Sequence, residues 1–267
     1  MNFTLTIMGT ASAMPISDRN PSGQVLAVQG RLFLLDCGEG TQQQMRRSHL
    51  SLLKVEAIFI SHIHGDHVFG LFGLLNTMEM YGRTAPLHIY GPQALGSVLK
   101  FYRSFFGEWN TYEILFTPVD CKEPQLLHES KWVRVSAFPL RHKIECYGYR
   151  FDGILTERRL REHPEERPKT YAYCSDTAPF PELPDWVRGV DLLYHETTFP
   201  RGMEDKAVKH WHSTSEQAAC CARDAGVGRL LIGHYSSRIT DFDALLKECT
   251  DIFPDTRAAQ DGDVIEI

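Results

Sequence analysis

No stretch of eighteen or more apolar residues occurs in the 267-residue chain, and its opening Met1-Asn2-Phe3-Thr4 lacks a basic segment followed by an apolar one. Neither a membrane span nor a secretory leader is therefore read from it, and the expected location is the cytoplasm. Basic charge is not in excess: 28 Lys and Arg stand against 34 Asp and Glu, a net charge of −6. A protein that coats itself with nucleic acid nonspecifically usually carries the opposite balance, although a local basic patch around an acidic cleft is compatible with it. Cysteines are few and odd in number, seven, and none falls in a C-x-x-C pair. That excludes a disulfide framework and predicts reduced, mostly buried thiols. Low-complexity tracts, repeats and Gly/Ser linkers are also missing, so residues 1–267 read as one domain. With 43% hydrophobic and 23% charged residues, the chain has the make-up of an ordinary folded domain.

Short apolar runs alternate with helical stretches, which predicts an α/β layer architecture. Phe3 to Met8, Gln24 to Val28 and Arg31 to Leu35 read as strands, the last two joined by a hairpin at Gln29-Gly30. Thr41 to Arg47 has helical composition with Thr41 as its expected N-cap. Five further strand-like runs share a property. Val55 to Ile60 ends at Ser61-His62-Ile63-His64-Gly65-Asp66-His67, Val133 to Leu140 at Arg141-His142, Tyr171 to Cys174 at Ser175-Asp176, Asp191 to Tyr194 at His195-Glu196, and Leu230 to Ile232 at Gly233-His234. Ligands of open α/β sheets collect beyond the carboxyl ends of strands, so these termini point to one shared site.

The run His62-x-His64-x-Asp66-His67 is the sharpest local signal. In an extended stretch His62 and His64 point the same way, while a turn at Gly65 redirects Asp66 and His67 to a second position. Imidazole suits zinc, manganese or iron, and three protein ligands with room for water make a catalytic ion site. His62, His64 and His142 are the candidate ligands of one ion, Asp66, His67 and His234 of another, with Asp176 bridging them through its two oxygens. Two such ions would lower the pKa of bound water from 15.7 to roughly 7.

Further segments make the match narrower: Gly9-Thr10-Ala11-Ser12-Ala13, Pro15-x-x-x-Arg19-Asn20, Asp36-Cys37-Gly38-Glu39-Gly40-Thr41, Pro139-Leu140-Arg141-His142, Tyr173-Cys174-Ser175-Asp176-Thr177, His195-Glu196-Thr197-Thr198-Phe199, His212-Ser213-Thr214 and Gly233-His234-Tyr235-Ser236-Ser237-Arg238. With these, the sequence resembles the ribonuclease Z family of the metallo-β-lactamase superfamily, zinc endonucleases that remove 3′ trailers from precursor tRNA. The resemblance implies a four-layer αββα sandwich, two zinc ions at its edge (manganese or iron being the alternatives) and a homodimer. It also implies Asp66 as proton acceptor for the attacking water and His212 as donor to the departing 3′ oxygen, oriented by Glu196. His195 is expected behind Glu196, bonded to Asp176 or a ligand histidine. For substrate, Arg19 offers a bidentate phosphate grip and Asn20 a hold on backbone or sugar, with Ser237 and Arg238 as further contacts. Two other functions stay open: a dizinc hydrolase of small esters or phosphodiesters on the same fold, and a noncatalytic RNA-binding relative.

Several residues are expected to be merely structural. His49, His88, His128, His163 and His210 read as surface or satisfied core histidines, and Gly9, Gly38 and Gly40 as turn glycines. Arg46-Arg47 reads as a solvated helix face. The stripe Phe69, Leu71, Phe72, Leu74, Leu75, Met78, Met80 and Tyr81 reads as core, part of it as dimer contact. One departure from the family stands out: members of the short form carry a long arm between the His142 and Asp176 motifs that grips the tRNA elbow, whereas here only the mixed-charge stretch 153–169 fills that place.

Overall fold

Residues 2–14, 16–106 and 111–267 are described by the computed structural model; Pro15 of the Pro15-x-x-x-Arg19-Asn20 motif lies outside them. The apolar runs form β1 (Phe3–Gly9), β2 (Gly23–Val28), β3 (Arg31–Cys37), β4 (Val55–Phe59), β5 (Leu87–Pro92), β6 (Ile114–Val119), β7 (Gln125–Glu129), β8 (Val133–Pro139), β9 (Tyr147–Gly153), β10 (Thr170–Cys174), β11 (Leu192–Glu196), β12 (Arg229–Gly233), β13 (Thr256–Ala258) and β14 (Val264–Glu266). One sheet has the order β14-β1-β2-β3-β4-β5-β6, the other β13-β12-β11-β10-β9-β8-β7. The hairpin between β2 and β3 turns on Gln29 and Gly30, both at positive φ (50° and 81°), the geometry whose twist matches a two-residue hairpin.

Period two explains the layering. In β4, Ala57 and Phe59 face the second sheet, where Phe59 meets Tyr149 and Phe151 at ring-centre distances of 5.2 and 5.3 Å. Ile58 faces outward onto Leu71, Leu74, Leu75 and Met78 of the helix Leu71–Met80, and Val55 joins it there because a register shift at the start of β4 breaks the alternation. The second sheet repeats this pattern, burying Leu193 and Ile232 against Ala219, Ala222 and Leu245 of the helices Ser215–Ala225 and Phe242–Thr250. The result is helix, sheet, sheet, helix, the four-layer αββα sandwich that the resemblance implies.

Details correct the expectations. Thr41 is the first residue of the helix Thr41–Arg47, and Gly40 (φ 86°) takes the cap position without a side-chain bond. The strand expected to end at Tyr194 runs on through His195 and Glu196. The stripe after the metal loop divides: Leu71, Leu74, Leu75 and Met78 are buried, whereas Phe69, Met80 and Tyr81 are exposed. All seven cysteines are free. No helix among the described residues is long and apolar enough to cross a membrane.

Candidate metal centre and catalytic cleft

β8, β10, β11 and β12 run in one direction in the second sheet, so their carboxyl ends meet at one edge, and β4 delivers its loop to the same edge. Following β4, Ser61 to His64 stay extended and a helical turn, Gly65–Val68, lifts Asp66 and His67 to a second level. Gly38 makes this possible by close approach, not by a turn: a Cβ there would stand 2.4 Å from the backbone oxygen of Asp66.

Each buried imidazole has its outer nitrogen committed as a donor. His62 Nδ1 donates to Ser61 Oγ (2.9 Å), His67 Nδ1 to Asp36 Oδ2 (2.8 Å), His142 Nδ1 to the Trp211 carbonyl (3.0 Å) and His234 Nδ1 to Thr198 Oγ1 (2.9 Å). This assignment leaves every Nε2 as a lone pair aimed inward. His62 Nε2 and His142 Nε2 lie 3.0 and 3.2 Å from His64 Nδ1, and His67 Nε2 lies 3.3 Å from His234 Nε2. Asp176 stands between the two sets, with Oδ2 3.6 Å from His62 Nε2 and Oδ1 3.1 Å from His234 Nε2. Asp66 Oδ2 completes the second set at 3.3 Å from His67 Nε2.

Lone pairs held this close repel unless a cation sits among them, and Asp176 Oδ1 is buried without any hydrogen bond. Burial, reinforced for His62 by the neighbouring imidazoles, holds His62, His64 and His142 below the ordinary imidazole pKa, in the neutral form that ligates. For His67 burial pulls the same way, but Asp66, Asp176 and Asp36 together raise it well above that value, so the carboxylates favour a positive charge at its Nε2 that a bound cation would supply in place of the proton. The donor set thus fits divalent metal: four ligand atoms (His62, His64, His142, Asp176) in one group and Asp66, His67 and His234 in the other, closed by the second oxygen of Asp176.

Beside this centre lies a buried carboxylate. Glu196 Oε1 accepts hydrogen bonds from His212 Nδ1 (3.0 Å) and the Ser213 amide (2.8 Å), and Oε2 accepts from the Thr198 amide (2.9 Å) and hydroxyl (2.7 Å). Burial raises its pKa, but the His212 charge and these hydrogen bonds outweigh burial and bring it to about 2. In turn, burial lowers His212, yet Glu196 and then Asp176 lift it to about 9. His212 Nδ1 is therefore occupied, and the ring faces a cleft of about 780 Å³ shared with His64, Asp66, His142, Asp176 and His234.

The beta-lactamase superfamily domain profile matches residues 31–235. Ribonuclease Z of Bacteroides thetaiotaomicron is 37% identical over 302 aligned positions, covering 99% of this chain and 95% of its own. Ribonuclease BN of Cronobacter sakazakii is 38% identical, covering 96% and 97%. Human tRNase Z, short form, superposes with a TM-score of 0.82 at 28% identity over 99% of both chains. The chain belongs to the ribonuclease Z family. It is accordingly an RNA-cleaving enzyme on a metallo-β-lactamase fold with a divalent-metal site.

Within this ribonuclease Z site, the seven expected metal ligands, Glu196 and His212 converge, and Ser237 and Arg238 line the cleft. Arg19 and Asn20 do not line it. The Arg19 guanidinium lies over the rings of Phe242 (4.9 Å) and Tyr235 (5.8 Å), in a neighbouring hollow, with Nε and Nη1 buried and unpaired. Asn20 donates from its amide and side chain to Asp261 Oδ2 (2.7 and 2.8 Å), tying two loops together. His195 is also placed elsewhere than expected: its Nδ1 bonds the Glu196 backbone oxygen (2.8 Å), because alternation along β11 sends Glu196 to the cleft and His195 to the other face.

Four supporting groups escaped the sequence. Asp36 receives Ser61 N (2.7 Å), Ser61 Oγ, His67 Nδ1 and the Tyr173 hydroxyl (2.6 Å) at a positive φ of 54°, so one buried carboxylate orients the whole metal loop. Thr198 Oγ1 links Glu196 to His234, Lys143 lines the cleft as a cation, and His210, expected to be inert, lines it too. A buried polar residue at a strand end, as Asp36 is, was the one signal available for them.

Proposed function

We propose that this cleft cuts precursor tRNA on the 3′ side of its last retained nucleotide, releasing the trailer and leaving a 3′-hydroxyl, with two zinc ions held by the paired ligand sets. The carrying observation is the combination of two ligand sets sharing Asp176 with an imidazole, His212, fixed over the same cleft by a buried carboxylate. Bound there, a pair of divalent ions lowers the pKa of the attacking water and supplies positive field for the phosphate oxygens. The water oxygen bonds to phosphorus, the bond from phosphorus to the ribose 3′ oxygen breaks and that oxygen takes the proton of His212; the proton shed by the water leaves to solvent, from which His212 is recharged. Asp66 accepts a hydrogen bond from the water; its carboxyl, pulled well below the ordinary range by His67 and His234 against the effect of burial, makes it an orienting group before it is a base. Lys143 and Arg238 meet the phosphates flanking the scissile one. Purified protein is expected to release a single trailer from a precursor tRNA and to carry two equivalents of zinc by elemental analysis. Hydrolysis of bis-p-nitrophenyl phosphate without any cleavage of precursor would favour a small-phosphodiester hydrolase instead.

The stretch 153–169 supports a weak grip on the tRNA body. It forms a short helix, Glu157–Glu162, capped by Thr156, and its cations are largely spoken for: Arg158 by Glu162 (2.8 Å), Arg159 by Glu166 (2.5 Å) and Arg167 by Asp191 (2.7 Å). The comparison with the Bacteroides thetaiotaomicron enzyme spans 302 positions against 267 residues here, so at least 35 of them have no counterpart in this chain. With about 0.9 of slope per neutralised phosphate, the few cleft cations predict that log affinity falls against log salt with a slope no steeper than about −3. A slope near −6 in a filter-binding titration would place a further basic surface on the tRNA.

The outer face of the first sheet's helices supports a homodimer as part of this proposal. On the helix Gln93–Phe106, Phe101 and Phe105 (58% and 67% exposed) lie 4.8 Å apart, and Phe106 stacks on Tyr102 and through it on Phe72. An aromatic patch of this kind marks an interface. Sedimentation is expected to return twice the chain mass and Phe105→Asp a single one.

A further inference from the structure

Next to the cleft, between the loop that follows β11 and the loop that follows β12, lies a second cavity of about 270 Å³. Phe199, Pro200, Met203, Ile239 and Leu245 form its apolar walls, and two carboxylates also line it: Asp241, which accepts from the Ala244 amide, and Glu248, which accepts from the Arg201 amide and the Ser215 hydroxyl. Lys206 and Arg238 line it as well, and neither is paired with a carboxylate among the described residues. Thr198, Phe199, Ser236 and Arg238 border both this cavity and the catalytic cleft. The two hollows are thus neighbours, divided by the residue whose hydroxyl bonds Glu196 and by a ring 6.1 Å from that of His212.

We propose that this cavity takes the base of the nucleotide immediately 5′ to the scissile phosphate, the last one retained on the product. The inference rests on His212 being the proton donor of the proposed reaction. The donor must stand at the departing 3′ oxygen, and that oxygen belongs to the 5′ nucleotide. The hollow beside His212 is therefore on that nucleotide's side of the phosphate. Its size suits one flat ring and is below that of pockets for larger ligands, roughly 300–1,000 Å³. Apolar and aromatic walls grip an unstacked base by its face, which every base possesses, so the pocket accepts all four with modest preference. Asp241 and Glu248 are engaged within the protein, so Lys206 and Arg238 are the lining charges left to meet the phosphates that flank the base. Seating the base fixes the ribose, and with it the 3′ oxygen, opposite His212, so Phe199, Met203 and Ile239 act as positioning residues.

The test uses three full-length precursor tRNAs: intact, abasic at the nucleotide 5′ to the cut, and abasic at the nucleotide 3′ to it. Wild-type protein is expected to lose about tenfold or more in kcat/KM on the 5′-abasic substrate, within the range seen when one base loses its stacking partner, and little on the 3′-abasic one. Ala244, an exposed residue of the helix Phe242–Thr250, lines the cavity, and Ala244→Trp fills it from a surface position. This variant should cleave the intact substrate near the wild-type rate on the 5′-abasic one, bringing the intact-to-abasic ratio to about one, with metal content confirming that the centre is formed. Equal rates of wild type on intact and 5′-abasic precursors overturn the proposal, as does an Ala244→Trp ratio unchanged from wild type or a larger loss on the 3′-abasic substrate. Failure of the wild type to cut even the intact precursor would instead remove the proposed reaction itself.

Discussion

Replacing His212 by alanine is expected to slow precursor tRNA cleavage by about 10²–10⁴-fold while leaving the metal content unchanged. A ribose 3′ oxygen departs badly as an anion and needs its proton during bond breaking. A p-nitrophenolate does not, so hydrolysis of the chromogenic diester should fall far less. The pKa of His212, lifted to about 9 chiefly by Glu196 against the effect of burial, keeps the ring charged and able to donate at neutral pH. The sign follows: activity that needs the protonated ring is full below that pKa and is lost as pH rises through about 9. In the alanine variant this alkaline limb should vanish, and in Glu196→Gln it should move to lower pH. His212 could also group with Asp176 and His234 as a metal ligand, but the nitrogen nearest Asp176, Nδ1 at 3.9 Å, is the one already given to Glu196 at 3.0 Å. Loss of metal on replacing His212 would show that the ligand role wins.

Asp176→Ala should have the larger effect. Among the described residues no other turns one carboxylate oxygen to each ligand set, Oδ2 toward His62 and Oδ1 toward His234. Without it each group loses an anionic ligand, and the imidazoles are left facing one another at 3.0 to 3.3 Å. Elemental analysis after dialysis should find less than one equivalent of metal. Cleavage should fall by on the order of 10³ or more, because bound ions contribute several kcal/mol to phosphoryl transfer. Retention of two equivalents by a folded Asp176→Ala protein would refute the bridging role.

Much of the centre was legible because its ligands sit in short motifs at strand ends, where local spacing and α/β topology give the same answer. The four-layer fold was legible for a similar reason, since period-two burial in β4 or β12 is written directly in the residues. What stayed hidden depends on contacts between distant segments. Asp36 and Ser61 are 25 residues apart, and Thr198 and His234 are 36 apart. The Trp211 carbonyl that orients His142 has no side-chain signature at all. Arg19 shows the converse: its guanidinium, read as a phosphate clamp, lies against two aromatic faces, a partner its own sequence neighbourhood does not announce. His195 was misplaced because the apolar run stops at Tyr194, although the strand continues for two more residues and its alternation decides which of the pair enters the cleft.

Both ligand sets draw on both sheets. His64 follows β4 and meets His142, 78 residues away, after β8; Asp66 meets His234 across 168 residues, after β12. An ion in either set is thus a cross-link between the two halves of the sandwich, closing a loop that the unfolded chain would have to hold at an entropic cost growing only slowly with its length. Metal that binds the folded chain alone stabilises it by mass action, by about 2.7 kcal/mol at a free concentration one hundred times Kd. For a domain whose net stability is commonly about 5–15 kcal/mol, that is a substantial share. Metal supply is therefore expected to govern how firmly the two layers stay closed as well as whether the cleft can cut, and a chelator to act on this enzyme as a reductant acts on a disulfide-linked one.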